Sequence, residues 1–232
     1  MGIGWAYALG VVGRGYSGRV GLGFGRLGVS GDLWGVVVAV VFSCPSWCVD
    51  HRGALPGDPP GGGAHYGPEV AVNLYDQLEF DTTRQVWIQS SAHDREGHRQ
   101  CLIGVIDPHG VGVELSTADA RRAARILILG ADLVLAPADG ACPSWCLGHS
   151  EVGHELGLAA VEHRGPFMVV RHPHPYTCGV AIAVRVSAFD FDDRREVCLE
   201  LITHGLATDL TGSEACKIAA HLLNAADQID AG

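Results

Sequence analysis

The pentapeptide Cys-Pro-Ser-Trp-Cys occurs twice in this chain, and two histidines follow each copy at the same distances. The first set is Cys44, Cys48, His51 and His65. The second is Cys142, Cys146, His149 and His163, each member 98 residues after its counterpart. Two thiolates and two imidazoles fill the four positions of a tetrahedral zinc ion. The repeated register therefore predicts two related units, each obliged to bring a Cys-x3-Cys-x2-His cluster and a distant histidine to one point.

The duplication divides the 232 residues into an apolar, Gly-rich N-terminal extension over 1–43, a first unit over 44–135 and a second over 142–232. A unit of roughly ninety residues has a core of marginal size, which a metal staple would reinforce. The extension carries Arg14, Arg19 and Arg26 and ends in the apolar run 33–42. That run is shorter than the roughly 20 residues a membrane helix needs. The segment reads first as a disordered or spurious extension and second as a signal or membrane segment.

From Cys44 onward the units run in parallel. His65-Tyr66-Gly67-Pro68 matches His163-Arg164-Gly165-Pro166. Runs rich in Val and Ile predict strands near 69–75, 85–91, 100–106 and 111–115, and near 167–171, 178–187, 196–203 and 206–210. Turns are expected at His109-Gly110 and His204-Gly205. Helices start after the hydroxyl caps Ser116 and Thr211. Ala120, Ala123, Ala124 and Leu127 recur at helical spacing and are expected to pack on the sheet. The predicted fold is α+β: two tandem units, each a zinc-binding loop, a three- to four-stranded antiparallel sheet and a C-terminal helix.

Zinc is the cofactor this ligand set favours, with the cysteines as its firmest members. Proline narrows the turn between them and lowers the entropy lost on ordering it. The competing readings are a packing motif anchored by Trp47 and Trp145, a disulfide within each motif, and an iron–sulfur cluster, which usually wants four thiolates. The two tryptophans read as shields of the site. Cys101, Cys178, Cys198 and Cys216 read as ordinary buried thiols. His154 is an alternative to His149 but has no counterpart. His93, His98, His172 and His174 likewise stand alone. Asp190, Asp192 and Asp193 could hold a cation, although a solvated loop is the simpler reading.

No nucleophile elbow, phosphate loop or metalloprotease helix motif is present. A full Cys/His quartet also leaves no open position for a catalytic water, so no enzyme activity is expected. The net charge of −10 lacks the basic footprint of a nucleic-acid binder. The cysteine usage points to a reducing, cytoplasmic setting.

The Cys-Pro-x-Trp-Cys opening with its nearby histidine, the β-rich middle and the helix starts Leu115-Ser116-Thr117-Ala118-Asp119-Ala120 and Leu210-Thr211-Gly212-Ser213-Glu214-Ala215 carry a resemblance. Together they resemble a family of uncharacterised actinobacterial domains, over roughly 44–132 and again over 142–229. The resemblance implies no activity. The expectation is a non-enzymatic tandem zinc protein acting as an interaction or regulatory module, its partner another protein. The alternatives are a thiol-based redox sensor or a metal-dependent enzyme.

Overall fold

The structure, a computed structural model, describes residues 23–25, 37–39, 42–53, 62–74, 84–95, 98–135, 142–153, 159–171, 180–191 and 194–232. Met1–Ser43 and Cys44–Gly232 form two units. In the first, β1 (Gly23–Gly25) pairs antiparallel with β2 (Val37–Ala39), which lies inside the apolar run.

The second unit contains both repeats. In the first repeat β3 (Asp50–Gly53), β4 (Gly63–Asn73), β5 (Gln85–Arg95), β6 (His98–Ile106) and β7 (Gly112–Leu115) form one antiparallel sheet in chain order, followed by α1 (Thr117–Leu135). The second repeat copies this with β8 (Gly148–Gly153), β9 (Ala159–Arg171), β10 (Val180–Asp190), β11 (Arg195–Thr203), β12 (Leu206–Leu210) and α2 (Gly212–Ala231). The fold is α+β with two five-stranded sheets. Each sheet exceeds the predicted three or four strands because the residues after the second cysteine pair as β3 and β8. Those strands are polar and short, so no apolar alternation announces them.

The repeated Gly-Pro phrase has a structural cause. The β4–β5 register shifts between Tyr66 and Glu69, and the β9–β10 register shifts between Arg185 and Ser187. Proline cannot donate to a ladder and is tolerated at such bulges. A Cβ on Gly67 would lie 3.4 Å from Trp47 Cε3, and one on Gly165 would lie 3.1 Å from Trp145 Cε3. Each glycine thus admits the indole of its own Cys-Pro-Ser-Trp-Cys loop. Trp47 and Trp145 are both buried.

The helices cap as their sequences predict. Thr211 Oγ1 accepts from Glu214 N, and Glu214 Oε2 accepts from Thr211 N, a reciprocal capping box. Ser116 Oγ accepts from Asp119 N at the start of α1. The apolar faces follow the 3.6-residue period: Ala120, Ala123, Ala124, Leu127 and Ala131 on α1, and Ala215, Ile218, Ala219, Leu222 and Ala226 on α2, all fully buried.

These faces do not simply cover the sheets of their own repeats. α1 lies against β9, β10 and β11 of the second repeat as well as β6 and β7 of its own. α2 lies against β4, β5 and β6 of the first repeat as well as β11 and β12. At Gly130 of α1 a Cβ would fall 2.1 Å from Leu199 Cδ1 and 3.3 Å from Val184 Cγ1. The far end of α2 reaches the first Cys-Pro-Ser-Trp-Cys loop, where a Cβ on Gly232 would lie 3.1 Å from Trp47 Cδ1. Side chains of both repeats, Ile88, Ile103, Leu115 and Leu127 with Ile182, Leu199, Leu201 and Leu222, belong to one core.

The two helices run antiparallel. Arg121, early in α1, pairs with Asp227 and Asp230 at the end of α2, and Gly212 at the start of α2 lies beside Ala131 and Leu135. The hairpin turns also meet. Thr203 donates to Asp107, and His204 Nε2–H donates to the Gly112 carbonyl at 3.2 Å. Gly110, His204 and Gly205 all have positive φ, which supports the turn role of His109-Gly110 and His204-Gly205. Among the described residues no helix is long and apolar enough to cross a membrane.

Candidate metal centres

Each Cys-Pro-Ser-Trp-Cys segment folds as a tight turn. Cys48 N donates to the Pro45 carbonyl and Cys146 N to the Pro143 carbonyl, both at 3.0 Å. The turn directs both thiols of a motif to one side. Val49 N then donates to the Tyr66 carbonyl and Leu147 N to the Arg164 carbonyl, which tie each loop to β4 or β9.

The histidines arrive by strand pairing. His51 on β3 lies directly opposite His65 on β4, and His149 on β8 opposite His163 on β9. Directly paired side chains share a face with Cβ atoms about 4.5–5.5 Å apart. The rings meet accordingly, with centroids 4.4 Å apart in the first pair and 5.6 Å in the second. The fourth ligand candidate therefore sits within a strand, earlier than the sequence placed that strand's start.

In the second repeat Cys142, Cys146, His149 and His163 each bring one ligand atom within 4.8 Å of the others. Cys142 Sγ lies 3.6 Å from His163 Nδ1. A tetrahedral zinc with Zn–S about 2.3 Å and Zn–N about 2.0–2.1 Å needs an S···N edge of about 3.5 Å. In the first repeat Cys44, Cys48 and His65 form the equivalent group. His51 adjoins it through Nδ1, 3.0 Å from Cys44 Sγ. That separation is shorter than a tetrahedral edge.

Behind each distant histidine stands a carboxylate. His65 Nε2 lies 2.9 Å from Asp94 Oδ2, and His163 Nε2 lies 2.9 Å from Asp190 Oδ2. An ionised carboxylate only accepts, so Nε2 carries the proton and Nδ1 keeps its lone pair. In the first site His65 Nδ1 is buried and has no hydrogen-bond partner. A buried, unpartnered acceptor is costly, and a cation beside the two thiols would satisfy it. The donor set fits a zinc ion on this ground as well as on ligand type. Carboxylates that orient a ligating imidazole in this way raise its basicity.

The carboxylates are in turn fixed by arginine. Arg99 donates Nε to Asp94 Oδ1 at 2.7 Å and Nη2 to Oδ2 at 2.8 Å. Arg195 grips Asp190 in the same bidentate way. Burial would raise Asp94, but Arg99 and then His65 outweigh it and hold the carboxyl below its ordinary value. Arg195 brings Asp190 down to about 2. Burial lowers the proton affinity of His65, which keeps the ring neutral and ligand-ready. At Cys146 burial opposes ionisation, but hydrogen bonding with His163, Cys142 and His149 outweighs it and sets the thiol at about 7.

Asp94, Arg99 and Arg195, which the sequence reading did not single out, and Asp190 complete the hydrogen-bonded groups behind His65 and His163. Asp190 was assigned to a solvated acidic loop, but it is a partner of His163. The signal was available: Asp94/Asp190 and Arg99/Arg195 both recur at a spacing of 96, between the 98 of the motif and the 95 of the helices. Of the other cysteines, Cys101 and Cys198 are half-buried, whereas Cys216 is exposed rather than buried. Cys44, Cys48, Cys142 and Cys146 are free thiols. His93 packs edge-on to Tyr66, with centroids 6.4 Å apart, and takes no part in the site. His154, His172, His174, Cys178, Asp192 and Asp193 lie outside the described residues.

Fold and site together define an α+β protein with two five-stranded antiparallel sheets and two Cys/His groups that could hold a metal ion. Residues 34–139 match the family described as a domain of unknown function, DUF6907. The match contains the first Cys/His group, its sheet and α1. No curated protein and no solved structure matches the chain.

Proposed function

We propose that this chain binds two zinc ions, one through Cys44, Cys48, His51 and His65 and one through Cys142, Cys146, His149 and His163. In this reading the ions are structural staples of a cytoplasmic, non-enzymatic interaction or regulatory module whose partner is a protein. The observation that carries the metal assignment is the buried, unpartnered Nδ1 of His65, on a residue that Asp94 supports and that has a ligand atom within 4.8 Å of the Cys44 and Cys48 thiols. Four protein ligands leave no place for a reacting water. The tandem arrangement and the motif fit the uncharacterised actinobacterial family named above. The net charge of −10 argues against a nucleic-acid partner.

The test is metal content by mass spectrometry on the full chain purified without added metal. About two zinc ions per chain, and about one in each of Cys48→Ala and Cys146→Ala, are expected for independent four-ligand sites. A metal-free parent chain would overturn the reading. The exposure of Cys44 and Cys142 favours one second reading, a redox sensor that loses zinc when its thiolates oxidise. Zinc release at low peroxide dose would select it.

A further inference from the structure

We propose that the face each sheet presents to the opposite repeat's helix is a dimerisation surface, so that the two repeats are partners able to assemble without the segment joining them. The inference stands on packing and does not rest on the metal reading. A repeat taken alone would leave much of its helix's apolar stripe uncovered, because α1 meets three strands of the second sheet and α2 three strands of the first. Exposing fully buried Leu127 or Leu222 to water is unfavourable in proportion to the apolar area uncovered. The partner that fits each face is therefore a second loop–sheet–helix repeat, with its helix running antiparallel to the first.

Three contacts show that the fit is specific. Gly130 lets α1 approach β10 and β11 so closely that any Cβ would collide with Leu199. Glycine inside a helix is destabilising relative to alanine, which the intimate contact offsets. Asp107 follows β6 and Thr203 ends β11 at corresponding positions, and Thr203 donates to Asp107 from one repeat to the other. The charge pairing is unsymmetrical: Arg121 of the first repeat meets Asp227 and Asp230 of the second, while the residue corresponding to Arg121 in the second repeat is Cys216. Two copies of the second repeat would set those aspartates against Cys216 in place of the arginine. This favours first-with-second pairing.

The experiment inserts a protease recognition sequence between Asp139 and Gly140 of the full chain. The purified protein is cleaved and run on size exclusion with light scattering. The expected result is one species at the mass of the uncut chain containing both halves; two separate species would overturn the proposal. In the same cleaved format Gly130→Leu is expected to fall apart on dilutions that leave the parent intact. Gly104→Ala, whose added Cβ meets only the Gln89 carbonyl at 3.7 Å, should behave as the parent. Identical dissociation of all three would refute the helix face as the joining surface. If Gly130→Leu does not fold, the parent and Gly104→Ala still decide the matter.

Discussion

Replacing Asp94 by Asn tests the central feature of the proposed site, the carboxylate placed to orient the candidate ligand His65. Asn keeps the size and can still accept from His65 Nε2–H through its carbonyl oxygen. It removes the charge, and its amide cannot receive the Arg99 fork that now closes at 2.7 and 2.8 Å. Loss of such a partner lowers metal affinity about 10–100-fold, which is about 1.4–2.7 kcal/mol. The two repeats should differ within that range. The Asp94 side chain is 4% exposed, whereas Asp190 is 27% exposed. Water screens the second carboxylate more, so its removal should matter less. Asp94→Asn is expected near 100-fold and Asp190→Asn nearer 10-fold. Competition with a chromophoric chelator reads this cleanly if each variant is made with the other site disabled, by Cys146→Ala or Cys48→Ala. An unchanged affinity for Asp94→Asn, or a larger loss for Asp190→Asn, would refute the reasoning.

Other perturbations address packing and charge. Gly130→Ala gains up to about 1 kcal/mol of helix propensity but forces fully buried Leu199 from its place, at about 1–3 kcal/mol; urea denaturation should show a net loss of up to about 2 kcal/mol. Thr211→Ala removes the capping box of α2 and should cost about 1 kcal/mol in the same assay. Ser187 is fully buried and donates to Glu200, which also receives Arg185; Ser187→Ala should lose about 1.5–3 kcal/mol, and a neutral result would mean the charged group finds another donor. Asp190 is depressed in the fold from 3.8 to about 2, so its contribution is complete above pH about 4 and disappears as pH falls toward about 2. With chelator present, the parent should lose stability across that window more steeply than Asp190→Asn.

The parts of this protein that sequence displays well are those encoded by identity at a fixed spacing. The Cys/His groups, the turn between cysteines, the caps Ser116 and Thr211 and the histidine–glycine turns each depend on residue types with little substitute, so each repeat shows them again. Strands β3 and β8 escape notice because they are short and lack apolar alternation, and Asp50–Gly53 and residues 148–151 are exposed. They are strands because His51 and His149 must lie opposite His65 and His163. Asp94 and Arg99 escape for another reason: they flank the turn between β5 and β6, where charged residues usually signify nothing more than solvent.

The exchange of helices between repeats is hidden more deeply, for a physical reason. An apolar stripe of period 3.6 and a sheet face of period 2 state that each must be covered, not by which copy. When the two copies have the same pattern, packing on the repeat's own sheet and packing on its twin's satisfy the same burial requirement. Only departures from the repeat can decide between them. Gly130 faces Leu199, while the corresponding residue of α2 is Ala225, and Arg121 has aspartates opposite it at one end of the helix pair alone. Those departures are where the chain records that its halves are complementary rather than merely duplicate. Substitutions that restore the symmetry, such as Cys216→Arg or Gly130→Ala, should therefore weaken the preference of the first repeat for the second even where they leave each sheet intact.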